Sequence, residues 1–170
     1  MCLHEAGIVA GTSETTYAPQ AVLTREQMAV ILMTSHEVAT GAEASTPSMH
    51  PFADVGDSYA VTRIAQLAGL GITAGCTPTL FCPHAPVTRG EMAVFVIRLY
   101  EAVAGESPAA AAPTFTDIAG HFAETEVNQL VALGVTAGNG GGTYGPDVPT
   151  TREQMAVFVA TALAAATAAH

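Results

Sequence analysis

Thr88-Arg89-Gly90-Glu91-Met92-Ala93-Val94 decides how this chain is read, because it occurs three times. Thr24-Arg25-Glu26-Gln27-Met28-Ala29-Val30 lies 64 residues before it, and Thr151-Arg152-Glu153-Gln154-Met155-Ala156-Val157 lies 63 residues after it. Two further landmarks keep the same register. Gly71-Ile72-Thr73-Ala74-Gly75 is matched by Gly7 to Gly11 and by Gly134 to Gly138, and Phe81-Cys82-Pro83 by Tyr17-Ala18-Pro19 and Tyr144-Gly145-Pro146. Self-similarity at a fixed period marks a repeat architecture. The 170-residue chain is three copies of one unit.

Each quoted stretch carries a helix start. Thr24 with Gln27, Thr88 with Glu91 and Thr151 with Gln154 have the spacing of a capping box, in which Thr and Glu/Gln satisfy each other's backbone N–H. The bodies that follow are apolar nearly all round, as in a buried helix. An upstream landmark, Phe52-Ala53-Asp54-Val55, recurs as Phe115-Thr116-Asp117-Ile118. After it Ile64, Leu67 and Leu70, matched by Val127, Leu130 and Leu133, step by three along one helix face. Copy one has no counterpart of Phe52 through Ile64, so the expectation is a first repeat truncated at its N-terminus, the chain being a piece of something longer or started late. The fold class expected is all-α: three helix-turn-helix repeats in a pseudo-threefold bundle, with short hairpin or irregular turns between helices. The repeats span residues 1–40, 52–104 and 115–170. Segments 41–51 and 105–114, rich in Gly, Ser, Thr, Pro or Ala, read as linkers.

These residues resemble a known family. Phe-x-Asp-Val, a helix, Gly-Ile-x-x-Gly, aromatic-x-Pro and Thr-Arg-x-Glu/Gln-x-Ala form the pattern of S-layer homology repeats, and the likeness covers nearly the whole chain. It implies a pseudo-threefold helical domain with the first helix of each repeat in a central bundle. It also implies grooves between repeats that bind anionic secondary cell-wall polysaccharide, commonly pyruvylated, and so anchor a larger surface protein without a covalent bond. The implied location is extracellular, at the cell wall, although no signal peptide is visible at the start of the chain. Two positions depart from the pattern: the family's usual Trp is Tyr59 and Phe122, and Gly90 stands where Glu26 and Glu153 are acidic.

Charge narrows the partners independently. Five Arg and no Lys face fifteen acidic residues, for a formal charge of −10. Nucleic acid is excluded as a partner, since phosphate neutralisation needs a basic surface. No transmembrane segment is expected: the longest uncharged run, residues 154–169, falls short of the roughly 20 residues a spanning helix needs.

Three of the five cations, Arg25, Arg89 and Arg152, sit at the first helical position, beside the partial positive charge of the helix end. Free N–H groups and a guanidinium together suit an anion, here a glycan carboxylate or phosphate. The competing reading pairs each Arg with an acid such as Asp54 or Asp117 of a neighbouring copy. Thr24, Thr88 and Thr151 are caps first and ligand contacts second. Tyr17, Phe81 and Tyr144 suit a core plug better than a sugar platform, whereas Tyr59 and Phe122 either line a groove or cap the bundle. Cys76 and Cys82 read as a disulfide stapling one turn, which implies an oxidising compartment, and Cys2 is left over. The six His share no ligand spacing and read as surface residues. No metal, cofactor or catalytic motif is called for. The function expected is a non-enzymatic carbohydrate-binding anchor; the alternative is a self-assembly or protein-interaction scaffold that keeps the fold without binding glycan.

Overall fold

The computed structural model describes Ile8 and residues 16–168. Cys2, His4 and His170, and the helix expected at the very start of copy one, lie outside the described residues. Among those described are five helices, α1 (Arg25–Thr40), α2 (Val61–Gly69), α3 (Arg89–Ala104), α4 (Glu124–Ala132) and α5 (Arg152–Ala168). The extended pieces between them form only isolated bridges, so the protein is mainly helical. Thr24 and Thr88 close the expected capping boxes on Gln27 and Glu91. Thr151 and Gln154 exchange the same pair of bonds at 3.2 and 3.4 Å.

The long helices α1, α3 and α5 pack on one another, while α2 lies on α1 and α4 on α3. The central bundle is therefore built from the second helix of each repeat, not the first, which corrects the assignment that the resemblance implied. The reason is apolar surface: α1, α3 and α5 are apolar on most sides, whereas the nine-residue α2 and α4 bury only one face. That face is also shorter than its periodicity suggests. Ile64 and Leu67 are buried, but Leu70 caps α2 and is exposed, and Ile72 beyond the turn fills the core instead.

Closure of the three repeats is visible in the backbone. The Leu23 N–H donates to the Thr150 carbonyl, Thr150 to Val87, and Val87 back to Leu23, at 2.8–3.0 Å. These three residues occupy one repeat position and are all buried, so the ring marks the pseudo-threefold axis. Thr150 keeps the volume of Val87 there, and its hydroxyl finds no partner.

Both connecting segments are hydrogen-bonded to a helix. Gln66 on α2 donates to the Ala44 carbonyl (2.8 Å), and its counterpart Gln129 on α4 donates to the Pro108 carbonyl (2.8 Å) and to Ser107. Buried amides with paired neighbours hold each connector along the helix that follows it.

Candidate functional site

The Phe-x-Asp landmark acts on the turns before α3 and α5. Asp54 accepts the N–H groups of Phe81 and Cys82, one per carboxylate oxygen, both at 2.8 Å. Asp117 does the same for Tyr144 and Gly145 at 2.8 and 2.7 Å. The middle residue of each aromatic-x-Pro is left-handed: Ala18 at φ 54°, Cys82 at 60° and Gly145 at 72°. An L-residue resists that conformation; at Cys82 the Asp54 fork offsets the cost, and repeat three places Gly145 there. Burial pushes the Asp54 carboxyl up, but the two N–H donors and Arg25 outweigh it and hold the group below its ordinary value. The N–H groups, Tyr144 first, hold Asp117 below its own. The Asp residues thus bind backbone rather than pairing directly with arginine.

Phe81 and Tyr144 are fully buried and Tyr17 packs against the same core, so this position is the plug of each repeat. Burial pushes the Tyr144 hydroxyl up to about 12, and it donates to the Arg89 carbonyl at 2.9 Å. The close approach of Phe52 and Phe115 to the preceding turn requires glycine. A Cβ on Gly75 would stand 2.6 Å from the Phe52 ring, and one on Gly138 2.4 Å from Phe115.

The three helix-start arginines are buried, at 3–6 % exposure. Each reaches across to a different repeat: Arg25 Nε donates to the Phe81 carbonyl (2.8 Å), Arg89 Nε to Tyr144 (2.9 Å) and Arg152 Nε to Tyr17 (2.9 Å). Their guanidinium groups also lie over aromatic rings, Arg25 over Phe81 and Phe95, Arg89 over Tyr144 and Phe158, Arg152 over Tyr17. The cation that the helix dipole disfavours is therefore held by carbonyl and ring contacts that close the cycle of repeats. Arg25 adds an ion pair to Glu91 at 2.7 Å, and burial still lowers its pKa.

One junction opens into a groove of about 420 Å³. Arg25 of repeat one lies in its wall, Gly75 and Cys76 of repeat two form one rim, and Phe122 of repeat three forms another. Two residues named from the sequence for ligand contact, Arg25 and Phe122, thus meet here although 97 positions separate them. Phe122 and Tyr59, at matching positions, are both exposed, 66 % and 69 %. Desolvation first, and Glu26 next, raise the Tyr59 hydroxyl above its ordinary value, against the opposing charge of Arg152. Thr24, Thr88 and Thr151 serve as caps. Cys76 and Cys82 are bonded, which fixes the rim of the groove.

Arg98 and Glu126, also in the groove wall, were not singled out by the repeat pattern. The signal was a contrast within one column, since Arg98 has Thr34 and Thr161 at its repeat position. The histidines correct another expectation: His36 is buried and His121 half-buried, stacked 4.3 Å from Phe122, while His84 is exposed. Among the described residues no group of His, Cys, Asp and Glu could hold a metal, and no helix is long and apolar enough to cross a membrane.

Comparison with known proteins gives the same partition into repeats. Residues 3–29, 51–93 and 114–156 match the S-layer homology domain. An endoglucanase of Bacillus sp. (strain KSM-635) is 32% identical over 164 residues, 95% of this chain and 17% of the endoglucanase. S-layer protein EA1 of Bacillus anthracis is 27% identical over 161 residues, 93% of this chain and 18% of that protein. A cell surface protein of Thermoanaerobacter kivui is 35% identical over 131 residues, 74% of this chain and 16% of its own length. The chain thus spans about a sixth of the length of these three relatives. Three matched segments, three capped helices and one closed cycle of arginines make this chain a member of the S-layer homology domain family.

Proposed function

We propose that this chain is a non-catalytic module that attaches a larger protein to the cell surface by non-covalent binding of an anionic wall polysaccharide. Cell-surface attachment is supported by the family and by relatives named S-layer protein and cell surface protein. That an endoglucanase carries the same segment suits a module used by proteins of different kinds.

The observation that carries the glycan reading is the groove in whose wall Arg25 and Arg98, the latter without a carboxylate partner among the described residues, stand together with an exposed Phe122. An aromatic face accepts the apolar face of a sugar ring, and a guanidinium pairs with a carboxylate in a protein whose net charge is otherwise repulsive to anions. A local cationic site in an acidic protein discriminates: it selects a ligand that can seat its charge on the arginine. Pyruvate ketals on the polymer would supply such carboxylates. In this reading Arg89 and Arg152 hold the equivalent places at the other two junctions, with Tyr59 the aromatic near Arg152, and Thr24, Thr88 and Thr151 present the helix ends.

Co-sedimentation with purified bacterial cell walls tests it. Binding is expected to walls that retain their acidic polysaccharide, to fall as salt rises, and to disappear from walls stripped of that polymer. Equal sedimentation with stripped walls, or none with either, would overturn the reading in favour of an interaction scaffold.

A further inference from the structure

We propose that Asn139–Gly140, in the turn of repeat three, is a site of spontaneous covalent modification. Asn139 deamidates there through a succinimide to aspartate and isoaspartate, and the change unfastens the turn that carries the Tyr144 plug.

The chain has two asparagines, and their surroundings differ. Asn128 is buried within α4 and is followed by Gln129. Asn139 is exposed and is followed by Gly140, Gly141 and Gly142, all exposed and all left-handed at φ 62–88°. A Cβ at any of the three would meet nothing within 4 Å, so this stretch stands in open solvent. A run of glycine also leaves the backbone soft. Two conditions for ring closure meet at this peptide. Gly140 has no side chain to crowd its nitrogen, and its N–H donates to no group among the described residues. Asn128 meets neither condition: a long side chain follows it, and the Gln129 N–H belongs to the hydrogen-bonded body of the helix.

The chemistry balances with water as co-reactant. The Gly140 nitrogen gives its proton to solvent base and bonds to the Asn139 side-chain carbonyl carbon, and Nδ2 leaves as ammonia. Water then opens the ring at either carbonyl carbon. Breaking the new bond leaves aspartate on an unaltered backbone. Breaking the old peptide bond routes the chain through the side chain, as isoaspartate.

What is lost is a clasp. Asn139 Nδ2 donates to the Tyr144 carbonyl at 2.9 Å, and Arg89 Nε donates to the same carbonyl at 2.9 Å. Aspartate presents that carbonyl with an acceptor in place of a donor, on a turn whose Tyr144 and Gly145 N–H groups already bind the Asp117 carboxylate. Isoaspartate lengthens the backbone inside the bonds that close the turn, Asn139 N–H to Thr143 (2.9 Å) and Thr143 N–H to Gly140 (3.3 Å). Arg89 is then left alone on the Tyr144 carbonyl, so the damage reaches the junction with repeat two. The Asn139 position in repeat two is Cys76, bonded to Cys82, and that turn contains no asparagine. Repeat three therefore carries the clasp that water can open.

Incubation of the full chain at mildly alkaline pH, followed by peptide mapping that separates aspartate from isoaspartate, tests the assignment. Conversion is expected at Asn139, faster as pH rises because the Gly140 nitrogen must lose its proton, with Asn128 intact and ammonia released in equal amount. Asn139→Gln, which would have to close a larger ring, should stop it. Asn139→Asp, the product on an unaltered backbone, should lower the melting temperature by about 2–4 °C. Asn139 left intact in the folded chain while the same chain in guanidinium chloride converts, or conversion of Asn128 at the same rate, would overturn the site. Asn139→Asp melting at the native temperature would overturn its structural consequence.

Discussion

Repeats two and three build the same turn and the same junction with different residues. In repeat two the turn is closed covalently by Cys76 and Cys82. In repeat three the matching positions are Asn139 and Gly145, and Asn139 Nδ2 donates to the Tyr144 carbonyl at 2.9 Å. The exchange is steric as well as chemical, since a Cβ on Gly145 would stand 2.7 Å from that amide nitrogen. At the junctions the backbone is constant: Glu26 N–H donates to Pro83 and Gly90 N–H to Pro146, at 2.9 and 2.8 Å. The side chains are permuted. Between repeats one and two, Glu26 accepts from Ser58 (2.7 Å) and meets His84 (3.1 Å). Between repeats two and three the same positions are Gly90, His121 and Asp147, and the His121 ring fills the space of the missing glutamate side chain and faces Asp147 at 3.6 Å. The departure at Gly90 is thus one half of an exchange. What the family position requires is a filled volume and a helix start tied to the next turn, not an acid as such.

Four experiments break or sharpen this comparison. The largest effect is expected from the arginine cycle. Arg25→Ala should cost about 3 kcal/mol, because it leaves Glu91 and a buried carbonyl without their partner; Arg89→Ala, whose counterpart of Glu91 is the neutral Gln154, should cost less. Urea unfolding of both variants measures the difference, and equal losses would mean the ion pair is idle.

Restoring the acid with Gly90→Glu should destabilise by about 2 kcal/mol through overpacking against His121 and the Pro146 carbonyl. Adding His121→Ser should return most of that loss. A double-mutant cycle without coupling would break the exchange described above.

Replacing Cys76 and Cys82 by Ala should cost about 2 kcal/mol from the unfolded-state entropy of a short loop, against about 1 kcal/mol for Asn139→Ala, one hydrogen bond. Thermal melts with and without reductant compare the two turns directly, since only the first should respond to reduction.

The smallest effect is acid sensitivity. Asp54 and Asp117 are held below their ordinary values in the folded protein. Their contribution is therefore complete above the unfolded value, about pH 4, and is lost as pH falls through the lower folded values. Asp54→Asn with Asp117→Asn should flatten the dependence of stability on pH below about 4. A pH profile parallel to that of the native chain would show that the forks do not set acid stability.

Much of this was legible before any coordinates. The constant offsets identified the repeats, and the capping boxes identified the starts of α1, α3 and α5, because both are properties of residues a few positions apart. The plug role of Phe81 and Tyr144 followed from their spacing before Pro. The bundle assignment and the surface placement of His36 did not hold, since each depends on what lies opposite an element rather than along it.

Sequence alone determined that the chain is three copies of one capped helical unit, with an arginine at every long-helix start and an acid before every left-handed turn it can match. Only the tertiary structure decided which cation is spent and which is open. Arg25 meets Phe81 across 56 residues and Arg152 meets Tyr17 across 135, contacts that exist only once the ring of repeats has closed. Local backbone physics writes caps and turns into short stretches of sequence, but charge neutralisation and groove lining are sums over neighbours from all three repeats. That is why Arg98, unremarkable within its own helix, became visible only beside Phe122 and Glu126.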